Sequence, residues 1–216
     1  MTKPSPIPDW LTSTLLADAG ALPLRSDIRP LTPGLRMFGP ALTVSVPPGD
    51  NLAIHAALAV VQPGEILVID GQGHRERALM GGIMSTQASA SSVGGVVIDG
   101  VMRDAAELLH IGLPAFALGV HPAGPHKKGD GSVGESIQCC GAPVSTGDWV
   151  FGDDDGVVVL PVAQRGTLLA GAEAKFKREQ ARLAAIGRGE LVAGWLKESL
   201  AAANVQFAPD RTPDLG

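Results

Sequence analysis

The chain contains no tyrosine, and aromatic residues fill only 4% of its 216 positions. Proteins that grip single-stranded nucleic acid do so by stacking bases on exposed rings, so that mode is excluded. Positive charge is scarce as well. Seventeen lysines and arginines face 22 acidic residues, for a net charge of −5. That balance removes the basic footprint of a duplex-binding protein. The densest basic cluster, His126-Lys127-Lys128, is followed closely by Asp130 and reads as a solvated loop. No nucleic-acid partner is expected. Two cysteines occur, the adjacent Cys139 and Cys140, with no C-x-x-C pair for zinc or redox work. Neighbouring cysteines rarely bridge each other, so a reduced, cytoplasmic setting is expected. The start of the chain is polar and proline-rich and lacks the apolar stretch of a secretory signal. No apolar run approaches the ~20 residues that cross a bilayer, so no membrane association is expected.

Glycine and proline are abundant instead, at 28 and 17 residues. Together they fall short of the ~25–30% that marks low-complexity chains, while 45% of residues are hydrophobic. The composition therefore specifies a turn-rich domain with an aliphatic core. The length suits one domain or two small ones.

The periodicity predicts alternating strands and helices. Trp10–Leu22 reads as a short helix capped by Asp9, and Met37–Val46 as a strand. Asn51–Gln62 reads as a helix capped by Asp50 or Asn51. Glu65–Asp70 is a buried strand that ends in a Gly71-Gln72-Gly73 turn. A small-residue helix is expected over Leu79–Val93, then a strand at Val96–Asp99. A helix follows at Asp104–Ile111 and a strand at Ala115–Leu118. Three strand–helix repeats in succession imply a parallel α/β sheet with a ligand site at the strand C-termini. Short β pieces follow at Ser136–Cys139, Asp148–Gly152 and Gly156–Leu160. Helices are expected from Pro161 to Arg188 and from Glu190 to Ala203. The organisation expected is an N-terminal helical segment over 1–30, an α/β core over 31–161, and a C-terminal helical extension and tail over 162–216.

Several motifs dissolve on inspection. Gly71-Gln72-Gly73 lacks the third glycine of a dinucleotide fingerprint, and Glu76 would repel a pyrophosphate. Asp153-Asp154-Asp155-Gly156 lacks EF-hand spacing and reads as an acidic turn. His55, His110, His121 and His126 show no metal-ligand spacing and read as packing, surface or loop residues.

Two segments stand apart. Arg103 directly precedes Asp104 and Glu107 at the start of a helix. Helix N-termini favour acids and disfavour cations, so the arginine is better explained by an anionic ligand held in its fork. Met80-Gly81-Gly82-Ile83-Met84 enters the preceding helix, where glycine-exposed N–H groups can hold an anion or, equally, allow close packing. Twenty residues separate Gly82 from Arg103. Both segments fall at the ends of neighbouring strands and can share a cleft.

Gly82, twenty residues, Arg103-Asp104, two residues and Glu107 resemble the G-x20-R-D-x2-E/D signature. That signature belongs to the class II pyruvate aldolases of the 4-hydroxy-4-methyl-2-oxoglutarate aldolase family, which includes the regulator of ribonuclease activity A. Gly49-Asp50-Asn51, the segments 63–71 and 95–100, and Gly152–Val157 are also similar to family segments. The resemblance implies a swivelling β/β/α-type fold, an α/β sandwich around a β-barrel-like core, assembled as a homotrimer or dimer of trimers. It implies a divalent cation, Mg2+ or Mn2+, and cleavage of 4-hydroxy-2-oxo dicarboxylic acids to pyruvate and an oxo acid. Oxaloacetate decarboxylation accompanies it, through the same enolate. By the resemblance Arg103 binds pyruvate and stabilises the enolate, Asp104 holds the metal, and Glu107 supports it from behind. Asn51 contacts pyruvate, and the amides of Gly81, Gly82, Ile83 and Met84 cradle its carboxylate. Some relatives carry aspartate where this chain has Gly82. The missing base is then a metal-bound water or a carboxylate from a neighbouring subunit, for which Glu179 is the candidate. The rival expectation is a non-enzymatic protein that binds and inhibits ribonuclease E. The 55 residues beyond Pro161 favour the enzyme. A methyltransferase is rejected because no glycine-rich nucleoside motif with a downstream acidic ribose ligand is present.

Overall fold

The computed structural model describes residues 7–208. The chain divides into two units, Met1–Lys175 and Phe176–Gly216. In the first, α1 (Ser13–Asp18) leads into β1 (Leu22–Pro23), β2 (Arg29–Pro30) and β3 (Met37–Ser45). Three crossovers follow: α2 (Leu52–Val60) to β4 (Ile66–Met80), α3 (Gly82–Ala90) to β5 (Gly95–Met102), and α4 (Ala105–Ile111) to β6 (Ala115–Ala117). Short strands then succeed one another: β7 (Ser132–Val133), β8 (Ile137–Cys139), β9 (Ala142–Val144), β10 (Trp149–Asp153) and β11 (Gly156–Leu160). The long helix α5 (Arg165–Gly187) spans the division, and α6 (Leu196–Ala202) belongs to the second unit.

The main sheet runs β1-β11-β10-β3-β4-β5-β6-β2, with β7 also against β3, and β8–β9 form a separate hairpin. The four central strands β3 to β6 are parallel, and the flanking ones are antiparallel. This is the α/β architecture anticipated from the three repeats. Strands buried on both faces read as continuous apolar runs. Alternate residues divide between two cores. Leu67, Ile69, Val96 and Ile98 pack with Leu42 and Val44 against the crossover helices. Ile66, Val68 and Val97 pack with Val150, Val159 and the β8–β9 hairpin on the other face.

The strand expected to stop at Asp70 continues for ten more residues. Gly71 explains why. A Cβ there would lie 2.5 Å from Leu79 and 2.7 Å from the Asp99 carbonyl, so the bare backbone can lie flat against β5. Gln72 and Gly73 take positive φ (58° and 70°), and the pairing with β5 resumes after breaks in register. Helix α3 accordingly begins at Gly82, with Leu79 and Met80 still in the strand. Helix α1 is shorter than expected because the Thr12 hydroxyl accepts from the Leu15 N–H, placing the cap at Thr12 and leaving Asp9 outside. The helix expected from Glu190 contracts to α6, beyond the left-handed Gly189. Asp153–Gly156 is the acidic turn anticipated, with the Asp153 carboxylate accepting from the Ser13 N–H and hydroxyl. Among the described residues no helix is long and apolar enough to cross a membrane.

Candidate functional site

The site is assembled where β3, β4 and β5 give way to their crossover helices. After β3, Gly49 turns with φ of 72° and delivers Asp50 to the start of α2. Asp50 is buried, and its Oδ1 accepts from Leu52 N–H at 2.9 Å. Its Oδ2 accepts from the amides of Lys128 at 2.7 Å and Gly129 at 2.9 Å. Burial alone would raise its pKa, but the three amide donors outweigh it and hold the carboxyl below its ordinary value. Asp50 therefore caps α2 and staples the loop of Lys127 to it. Asn51 N–H donates to His126 carbonyl at 3.0 Å, completing the junction.

The Asn51 side chain is also buried. Its Nδ2 donates to the Leu79 carbonyl at 3.0 Å and approaches Met84 Sδ at 3.1 Å. These partners fix the amide, and its Oδ1 is left buried without a hydrogen bond. An orphaned buried acceptor is met by a group from outside the chain, a water or a ligand.

At the end of β5, Arg103 N–H donates to the Met80 carbonyl at 3.0 Å, joining the two strand ends. Asp104 then takes a left-handed conformation (φ 61°, ψ 43°) at the start of α4. Aspartate tolerates this region better than most residues. The turn brings the Asp104 carboxylate back over α3, where Oδ2 accepts from Gly82 N–H at 2.9 Å and lies 3.5 Å from Arg103 Nε. Gly81 and Gly124 leave the necessary room. A Cβ at Gly81 would fall 2.5 Å from Asp104 Oδ2, and one at Gly124 would fall 2.8 Å from an Arg103 nitrogen. The Glu107 carboxylate occupies the space beside Gly82 that a side chain would fill. Two carboxylates thus meet at the Gly81-Gly82 step, a set of hard oxygen donors.

A cleft of about 120 Å³ opens here. It is lined by Asn51, Gly81, Ile83, Met84, Arg103 and Asp104, the residues singled out in the sequence, and also by His55 and Lys127. Gly82 N–H is taken by Asp104, which corrects the expected four-amide cradle. The first-turn amides of Ile83 and Met84 have no intrahelical acceptor and remain for a ligand. Glu107 lies beside this cleft, at the wall of an adjoining pocket with His110. Glu179 is an exposed residue of α5 in the second unit, whereas the cleft is lined wholly by the first. By sequence alone, His55 reads as a packing or surface residue and Lys127 as part of a solvated loop. The available signal was that His55 follows Asn51 by four positions and so shares its helix face. Nothing local marks Lys127, whose position depends on the distant Asp50.

The family model described as RraA-like, Aldolase/RraA, matches residues 13–159. The chain belongs to this family. A relative in Halalkalibacterium halodurans bearing the name "Putative 4-hydroxy-4-methyl-2-oxoglutarate aldolase" is 36% identical over 178 residues, covering 82% of this chain and 85% of the relative. Among solved structures, the RNA-processing inhibitor RraA from a Thermus species matches with a TM-score of 0.64 and 29% identity, over 70% of this chain and 93% of its own. Streptomyces coelicolor RraAS2, described as an unusual member of the RNase ES inhibitor RraA family, matches at 0.69 and 26%, over 81% and 90%. The Aldolase/RraA family thus joins relatives with an enzyme's name to relatives with an inhibitor's. Length does not sort them, since RraAS2 aligns across as much of this chain as the aldolase-named relative does.

Proposed function

We propose that the protein is a divalent-metal-dependent lyase that cleaves 4-hydroxy-2-oxo dicarboxylic acids, of the 4-hydroxy-4-methyl-2-oxoglutarate or 4-carboxy-4-hydroxy-2-oxoadipate type, to pyruvate and an oxo acid. It also decarboxylates oxaloacetate. The observation that carries this reading is the meeting of Arg103, Asp104 and Glu107 at the Gly81-Gly82 step, beside the orphaned Asn51 acceptor. The donor chemistry fits Mg2+ or Mn2+, which take carboxylate oxygens and keep several waters. Asp104 would hold the ion, with Glu107 supporting it directly or through water. When bound, such an ion acts as a Lewis acid on the 2-keto oxygen.

The remaining chemistry belongs to the chain. The Arg103 guanidinium meets the negative charge that grows on the keto oxygen as the carbon–carbon bond breaks, and the Ile83 and Met84 amides receive the adjacent carboxylate. Lys127, which also lines the cleft, matches the second carboxylate of a dicarboxylic substrate. Both substrates lose a bond β to the keto carbon and leave the same enolate, so one site serves both. A homotrimer or a dimer of trimers in the reduced cytoplasm completes the proposal. In it, Glu179 of a neighbouring copy is the candidate for an additional carboxylate.

The test is pyruvate release from 4-carboxy-4-hydroxy-2-oxoadipate and from oxaloacetate, with Mg2+ or Mn2+ and with chelator. Metal-dependent release is expected with both, and none with either would defeat the proposal. The likeness to the Thermus inhibitor favours a second reading, a protein that binds ribonuclease E. Capture by ribonuclease E that survives Arg103→Ala, from a chain without lyase activity, would select it.

A further inference from the structure

A second constellation lies in the other apolar core, apart from the lyase chemistry. Strands β8 and β9 are joined by Cys140 and Gly141, whose φ values of 51° and 85° are both positive. Two-residue hairpin turns of this kind favour Asn-Gly or Asp-Gly. A cysteine in the first place departs from the local preference, and such departures concentrate at functional positions. Cys139 and Cys140 are fully buried, with sulfurs 3.5 Å apart. The Asp99 carboxylate closes the group. Its Oδ2 accepts from Cys140 N–H at 2.8 Å, and one ligand atom from each of the three residues lies within 4.8 Å of the others.

The spacing distinguishes the chemistries open to this pair. A disulfide needs Cα atoms roughly 4.4–6.8 Å apart, and adjacent residues offer about 3.8 Å, so a bridge would be strained. Two thiolates bound tetrahedrally to one ion at about 2.3 Å stand roughly 3.8 Å apart. The observed separation is within a few tenths of an ångström of that bite.

We propose that Cys139, Cys140 and Asp99 form a binding site for a soft divalent cation of the zinc class. The ion takes one bond from each sulfur and one from the carboxylate, and the two thiol protons leave to solvent. Two positive charges replace two protons, so the cluster's charge is conserved and the Arg25–Asp99 pair stays balanced. Arg25 reaches Asp99 Oδ1 at 3.1 Å with a side chain 48% exposed, and it provides the movable cover through which an ion enters. Without an ion, the hydrogen bond with Cys139 and burial push the Cys140 thiol well above its ordinary pKa and keep it inert. Thiolate sulfur favours such an ion, whereas the carboxylate and amide groups of the cleft suit Mg2+ or Mn2+, so the two sites differ in the ion each prefers.

The experiment uses the reduced, metal-stripped full chain titrated with Cd2+ in excess Mg2+. A thiolate-to-cadmium ultraviolet band is expected, saturating at one equivalent, with two protons released per ion. Cys140→Gly removes one ligand while suiting the positive φ, so it folds and loses the band. Cys139→Ser loses it too, and Asp99→Asn weakens binding at least tenfold. No band in the native chain, or an undiminished one in Cys140→Gly, overturns the site. Unchanged affinity in Asp99→Asn overturns the three-ligand assignment.

Discussion

The carboxylate of Glu107 rests against Gly82, filling the space where any side chain at position 82 would begin. The two positions lie on different helices, yet one can supply the group that the other lacks. Glu107→Ala is expected to abolish metal-dependent lyase activity. Gly82→Asp in that background places a carboxylate in the vacated space and should restore at least a tenth of it. Pyruvate release by the two variants, with metal affinity measured in parallel, checks this. Gly82→Asp alone should not exceed the native rate, because the two carboxylates then contend for one place.

Gly82→Ala separates stability from function at the same point. Alanine is the better helix former, by less at this first helical position than the roughly 1 kcal/mol of a helix interior, and the obstacle is the flexible end of Glu107. The thermal midpoint should hold or rise, while the displaced Glu107 lowers activity. A large fall in the midpoint would show that Glu107 is clamped in place.

Arg103 faces the developing enolate, so its loss should appear in the chemical step. Arg103→Ala is expected to lower kcat for oxaloacetate decarboxylation by about 10²–10³-fold, and Arg103→Lys by less. The side chain is 40% exposed, so folding should be unaffected. Steady-state kinetics with circular dichroism as the control test both statements.

Asp104→Asn keeps an oxygen for the Gly82 amide and a residue that tolerates a left-handed backbone. Stability should stay within about 0.5 kcal/mol, the range of benign surface changes. Activity should disappear with the charge that holds the metal. Urea unfolding beside the pyruvate assay distinguishes this outcome from a general loss of structure.

Asp50 predicts a pH dependence. Its folded pKa lies below its unfolded value of about 3.9, because three amides favour the charged form. The stability it contributes is present above pH 4 and fades as pH falls through the folded pKa. Asp50→Asn should destabilise by about 1–3 kcal/mol near neutrality, as expected for a buried hydrogen-bonded charge. The difference from the native chain should shrink below pH 4. Urea titrations from pH 3 to 7 measure it, and a difference independent of pH would disprove the assignment.

The α/β architecture was legible because β3, β4 and β5 are apolar runs separated by helix patterns with clear stops. Arg103 with Asp104 and Glu107 was legible because a cation at a helix start contradicts the local electrostatics. Gly71-Gln72-Gly73 misled because two glycines around a polar residue look like any turn. What keeps that segment in the sheet is the space it shares with Leu79 and Asp99, distant in sequence. The expected amide cradle loses Gly82 for a related reason. Only the left-handed turn at Asp104 brings its carboxylate onto Gly82, and no local pattern encodes that turn. Lys127 reads as a solvated loop residue because Asp50 positions its loop from 78 residues before Lys128, beyond any local pattern.

That last dependence reaches beyond catalysis. The start of α2, the ends of β4 and β5 and the loop at Lys127 are each incomplete as recognition surfaces, and they come together only after all three parallel crossovers have closed. Such long-range closures are slow steps in folding. A chain released early from folding would carry much of its secondary structure and no usable cleft. Return of ligand binding during refolding would therefore time the final act of assembly, later than any signal from the helices.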